Sequence, residues 1–169
     1  MRQAALATVV AAVALLGLVL VLGARDDAEV APAQGPGELR PDRGAAHDGP
    51  ATAAGDEPPT SGTHRPELVT RDRRTLSDDQ IIHALELGNV VILYDAPDPG
   101  TWLQRVQREV AGPFDAEVAA AGQAVILARR AGAGPATALA WRRILRTDDP
   151  RDPRLRDFAE EWLARGVGN

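Results

Sequence analysis

Three apolar patterns follow one another along the chain. The first is unbroken: Ala4 to Gly23 is a run of 20 residues without a charge, preceded by Arg2 and followed by Arg25, Asp26 and Asp27. At about 1.5 Å per residue it matches the roughly 30 Å hydrocarbon core of a bilayer and exceeds the about 7–15 apolar residues of a signal peptide. The length predicts a retained transmembrane helix over 4–23 behind a cytoplasmic stub at 1–3. Val21 and Gly23 are small enough to serve as cleavage positions, so a cleaved signal peptide stays open. Arg2 stands before the run, and Arg25 is outnumbered by Asp26, Asp27 and Glu29 after it. That bias predicts a single-pass protein of the cell membrane with its N-terminus cytoplasmic; either route makes the remainder extracytoplasmic. The second pattern, Ala24 to Glu57, has almost no bulky apolar residue and is punctuated by Pro32, Pro36, Pro41 and Pro50. Such a stretch cannot offset its ordering entropy by burial. It predicts a disordered Ala/Pro/Gly-rich linker over 24–57, with His47 solvated inside it.

The third pattern is periodic and occupies 58–169. Ser77 and Gln80 form a capping box, Leu76 and Ile81 suit a hydrophobic staple, Asp78 and Asp79 sit in the first turn, and Gly88 suits a C-terminal cap. These predict a helix over 78–87. Asn89 to Tyr94 is a short, β-branched buried run, hence a strand. Thr101 with Gln104 repeats the capping pattern ahead of Leu103, Val106 and Val110, and Gly112-Pro113 ends that helix. Gln123 to Arg129 reads as a second strand and Ala136 to about Leu145 as a third, with Ala131 to Pro135 as a hairpin-like turn between them. Asp152 as N-cap, Pro153, and Leu155, Phe158 and Trp162 on one face predict a last helix ending at Gly166. The order αβαββα gives an α/β (α+β) domain: a small mixed sheet of about three strands with flanking helices. Its first two strands should be parallel and its last pair antiparallel.

Composition narrows the chemistry. Apolar residues make up 44 %, but Ala supplies 31 of them and aromatics are only 4 % of the chain, so the core is small. With a net charge of −5, no extended basic surface offers itself to phosphate backbones, and nucleic acid is excluded as a partner. The absence of cysteine excludes disulfides, thiolate metal sites and Cys nucleophiles, so any metal takes N or O ligands. Gly132, Gly134 and Pro135 lack the Lys-Ser/Thr continuation of a phosphate loop. Ser61 within T-S-G-T-H is not part of a G-x-S-x-G elbow, which argues against a serine hydrolase.

Two polar segments stand beside the core pattern: Pro58-Pro59-Thr60-Ser61-Gly62-Thr63-His64, and His83-Ala84-Leu85-Glu86-Leu87-Gly88. Together with the apolar strand ending in Tyr94 and with Ala138 to Trp141, they resemble DUF3105, a bacterial family of unknown function often found as membrane-anchored extracytoplasmic proteins. The likeness spans about Pro58 to Trp162. It implies a P-x-S-G-x-H segment, here Pro59 to His64, and an H-x-L-E-H-G helix end, here His83 to Gly88. It implies no established reaction. The chain departs from that pattern at Leu87, where the family has a second histidine.

His83 and Glu86, at i and i+3, still share a helix face. His64, on a loop bounded by Pro and Gly, can add a third ligand to a divalent Zn- or Cu-like ion. The binding candidates are therefore Ser61, His64, His83, Glu86 and Tyr94, with His64, His83 and Glu86 as metal ligands. Two readings stand. The favoured one is a non-enzymatic module that contacts an envelope protein, without a cofactor; His83 and Glu86 are then a local helix pair, and Ser61 and His64 fasten their loop. The other is a metal-binding module whose H-x-x-E-H site is incomplete. An enzyme is the less favoured outcome.

Overall fold

A computed structural model describes residues 35–51 and 57–167. The elements are β1 (Glu38–Leu39), α1 (Asp78–Leu87), β2 (Val90–Tyr94), α2 (Gly100–Ala111), α3 (Ala116–Ala120), β3 (Val125–Arg129), β4 (Ala136–Ala140), β5 (Arg143–Thr147) and α4 (Arg154–Trp162). They form a mixed α+β fold on one open five-stranded sheet, in the order β1-β5-β4-β2-β3. Among the described residues no helix is long and apolar enough to cross a membrane. The anchor predicted at 4–23 lies outside the described residues, as do 24–34 and 52–56 of the predicted linker.

The local signals act as their chemistry requires. Ser77 Oγ accepts from the Gln80 N–H and Gln80 Oε1 accepts from the Ser77 N–H, each at 3.1 Å, which satisfies two orphan donors at the start of α1. At its other end Gly88, with φ 113°, donates to the Ala84 and Leu85 carbonyls. β2 pairs in parallel with β3 through the α2 crossover.

Successive residues of β2 serve opposite faces, as a strand's period of two demands. Val90, Ile92 and Tyr94 pack with α2 and α4 through Leu103, Val106, Leu155 and Phe158. Val91 and Leu93 pack with α1 through Ile81, Ala84 and Leu85. The sheet is thus covered on both faces, and all five residues of β2 are buried. At the carboxyl side of α1, the Asn89 amide donates to the Ala84 and Ala119 carbonyls while its oxygen accepts from Ala124 N. One buried side chain thereby ties α1 to α3 and to the approach to β3.

Four sequence expectations are corrected. The third strand is a hairpin: β4 and β5 pair antiparallel around Trp141 and Arg142, and Arg142 takes the left-handed φ of 57° without a glycine to announce it. The 131–135 turn does not pair β3 with β4. It carries the chain across the end of β2, with Arg130 N donating to Tyr94 O and Asp95 N to Gly134 O, so that β4 pairs with β2. Helix α2 starts at Gly100 with Pro99 at the cap position, which has no side-chain bond to give; Asp98 accepts from the Gly100 N–H instead, and the Thr101–Gln104 pattern goes unused. Finally, residues 35–51 of the expected linker lie on the domain. β1 pairs with β5, the Trp162 indole donates to Pro36 O, and Arg40 N donates to Arg142 O. This strap is ordered by backbone hydrogen bonds, which a composition poor in apolar residues does not reveal.

Candidate metal centre

Helix α1 presents His83 and Glu86 at i and i+3 near its carboxyl end, so both side chains rise from one face. The loop before the helix brings His64, and the strap brings His47. Their approach is set by two backbone hydrogen bonds between strap and loop, Gly62 N to Gly44 O at 2.7 Å and His64 N to Ala46 O at 2.9 Å. Ser61 reinforces the same seam: its hydroxyl accepts from Arg43 N and donates to Pro41 O. Asp79, in the first turn of α1, accepts from Arg65 N and Ala51 N and so fastens both segments to the helix. Burial pushes the Asp79 carboxyl up, yet those two N–H donors and the charges of Arg65 and His64 hold it below its ordinary value.

The result is a cluster of His47, His64, His83 and Glu86, in which one ligand atom from each residue lies within 4.8 Å of every other. Glu86 Oε2 is the hub. It stands 2.9 Å from His47 Nε2, 3.1 Å from His64 Nε2 and 3.1 Å from His83 Nδ1, and the last two nitrogens are 3.3 Å apart. His64 is fully enclosed, Glu86 and His83 are mostly buried, and the His47 side chain is 44 % exposed. Burial pushes the Glu86 carboxyl up, but hydrogen bonds from His47 and His83 and the positive charge of His47 and His64 outweigh it, so the group ionises below its ordinary value.

Protons satisfy this arrangement only if the fully buried His64 is charged. His64 Nδ1 lies 3.0 Å from the Gly62 carbonyl, which only accepts, so Nδ1 carries the proton and a neutral His64 turns the lone pair of Nε2 inward. One proton on His83 Nδ1 serves His64 Nε2 or Glu86 Oε2. The remaining approach of His64 Nε2 to Glu86 Oε2 is then lone pair against lone pair, unless a fully buried imidazole is charged. A cation among the four donors removes the conflict, and the Gly62 carbonyl is the kind of outer partner that orients a ligating imidazole.

The positions named from the sequence divide accordingly. His64, His83 and Glu86 come together. Ser61 is spent on the strap, and Tyr94, whose ring packs on the α2 and α4 side of the sheet, stands apart from the cluster. His47 is the member that sequence reasoning missed, because a Pro-, Gly- and Asp-rich neighbourhood reads as solvated. A usable signal was present in the count: the chain has three histidines and all three meet here.

The family comparison agrees with the motifs. The model for DUF3105, described as a protein of unknown function, matches residues 48–167, and the chain belongs to that family. No curated protein and no solved structure matches the chain.

Proposed function

We propose that this domain is a metal-binding module that holds one divalent ion through His47, His64, His83 and Glu86. The observation that carries the reading is the convergence of three imidazole nitrogens on one carboxylate oxygen around a fully buried histidine. Bonds of about 2.0–2.1 Å to a tetrahedral ion put neighbouring ligand atoms roughly 3.3 Å apart. Four of the six separations, from 2.9 to 3.3 Å, lie at or below that value, and all six lie within 4.8 Å. Imidazole and carboxylate suit zinc or copper(II), whereas copper(I) favours the thiolate and thioether ligands that this site does not contain.

Four protein ligands fill a tetrahedral ion's coordination sphere and leave no position for an activated water, which supports binding over hydrolysis. The apolar run at 4–23 supports an extracytoplasmic address, where the module acts outside the cell membrane. Contact with an envelope protein rests on that address alone, whereas the metal reading rests on geometry. The test is elemental analysis of the full chain purified without chelators, followed by titration with zinc and with copper(II). About one ion per chain is expected, lost in His64→Ala and in His83→Ala. A chain that arrives metal-free and takes up neither ion overturns the reading.

A further inference from the structure

A concavity of about 520 Å³ opens at the carboxyl end of the parallel strands. Its walls come from two segments. Residues 71–74 run beside β3, where Arg74 bridges Ala128 in parallel, and the loop that follows β2 supplies Asp98. Tyr94, the last residue of β2, and Phe114 complete it. In open α/β sheets this is where ligands bind, in the crevice outside the carboxyl ends of the strands.

The lining points to the sign of the occupant. The Tyr94 residue is 1 % exposed, and its hydroxyl, which makes no hydrogen bond to another described residue and is not among the fully buried polar atoms, reaches solvent where the residue lines the concavity. Burial, followed by the charges of Asp98 and Asp72, pushes its ionisation up, so at neutral pH the group is an O–H donor. Arg71 and Arg74 also line the concavity and carry no ion pair among the described residues. The acidic groups nearby are already engaged. Asp98 accepts from Gly100 N at 2.7 Å. Asp72 accepts from the Gln107 amide at 2.9 Å and stands 3.5 Å from Arg73 Nε.

We infer that this crevice binds a small molecule through a carboxylate or phosphate group, with Arg71 and Arg74 receiving the oxyanion and the Tyr94 hydroxyl donating to it. The proposal is independent of the metal centre, which uses none of these residues. Guanidinium forks match both oxyanions bidentately, and Phe114 offers an apolar wall to the rest of the molecule.

The chain's one tyrosine makes the test specific. In the full chain labelled with carbon-13 at the tyrosine Cζ, the single resonance reports Tyr94 while inorganic phosphate and, separately, succinate are titrated. A saturable shift with at least one probe is expected, its affinity about tenfold weaker or worse when Arg71→Gln and Arg74→Gln are combined and unchanged in His83→Ala. The probe that acts assigns the oxyanion as phosphate or carboxylate. Both arginines are exposed, so the double variant should keep its fold, which the dispersion of the remaining spectrum checks. No saturable shift with either probe overturns the proposal. So does a shift that survives the double arginine change, or one abolished by His83→Ala, which would place the anion on the metal.

Discussion

His64 has no exposed surface, and its two ring nitrogens have different duties: Nδ1 is fixed by the Gly62 carbonyl and Nε2 faces Glu86 and His83. In the proposed metal-binding arrangement the imidazole would therefore arrive with its tautomer chosen and need no ring rotation. His47 is the contrasting case. It is half open to solvent and touches the centre through Glu86. Leu87, one helical turn beyond His83, offers no donor, so in the proposed metal-binding arrangement His47 would supply the third nitrogen from outside the helix. His47→Ala should weaken zinc binding by about a hundredfold while leaving the fold intact, read by competition against a chromophoric chelator. Adding Leu87→His to that variant should recover much of the loss, because it restores a nitrogen at i+4 from His83. Equal affinities for the single and double variants would show that this helix turn does not reach the ion.

At the scale of elements, the carboxyl end of α1 is held by close backbone approaches as much as by side chains. Val167 N donates to Glu86 O and Ala164 N to Gly88 O, and a Cβ placed on Gly122 would lie 2.0 Å from the Leu87 carbonyl oxygen. Gly122 also has φ +74°, so an alanine there faces both backbone strain and a contact with main chain that has no flexible end to yield. Gly122→Ala should cost about 2 kcal/mol or more in denaturant unfolding. It should also displace Glu86 enough to lower metal affinity, whereas alanine at Gly132, whose Cβ would meet nothing within 4 Å, carries only the backbone term. Elements were legible where their signals are local. The capping box at Ser77 and Gln80, the β-branched run into Tyr94 and the Gly112 stop need only a few neighbouring residues. Strand order was not legible, since nothing in Ala131 to Pro135 says that the chain passes over β2 instead of turning back on β3. Nor does Arg142 carry any mark of the hairpin it closes.

For the whole molecule, an ion at this centre would join three separate stretches of chain: the strap through His47, the following loop through His64, and α1 through His83 and Glu86. A ligand that binds the folded state alone stabilises it by about 2.7 kcal/mol at a hundredfold excess over its Kd. Zinc should therefore raise the melting temperature of the full chain and a chelator should reverse the gain, with neither effect in His83→Ala. The same long-range closure explains why the centre was only half visible in the sequence. His83 and Glu86 declare themselves by helical spacing and His64 by its motif, but His47 is 39 residues from Glu86 and enters through main-chain pairing that carries no residue signature.

The strap has one more consequence, which concerns force. Residues 35–51 are the first described part of the chain, and they hold the domain by a two-residue edge pairing, an indole bond to Pro36 and the seam that carries His47. A pull applied upstream would be felt by Glu38 and Leu39 before the sheet interior, and next by His47 of the cluster. Tension and metal occupancy would then compete for the same seventeen residues: an ion held at the cluster would resist peeling of the strap, and a peeled strap would give up one of the four proposed ligands.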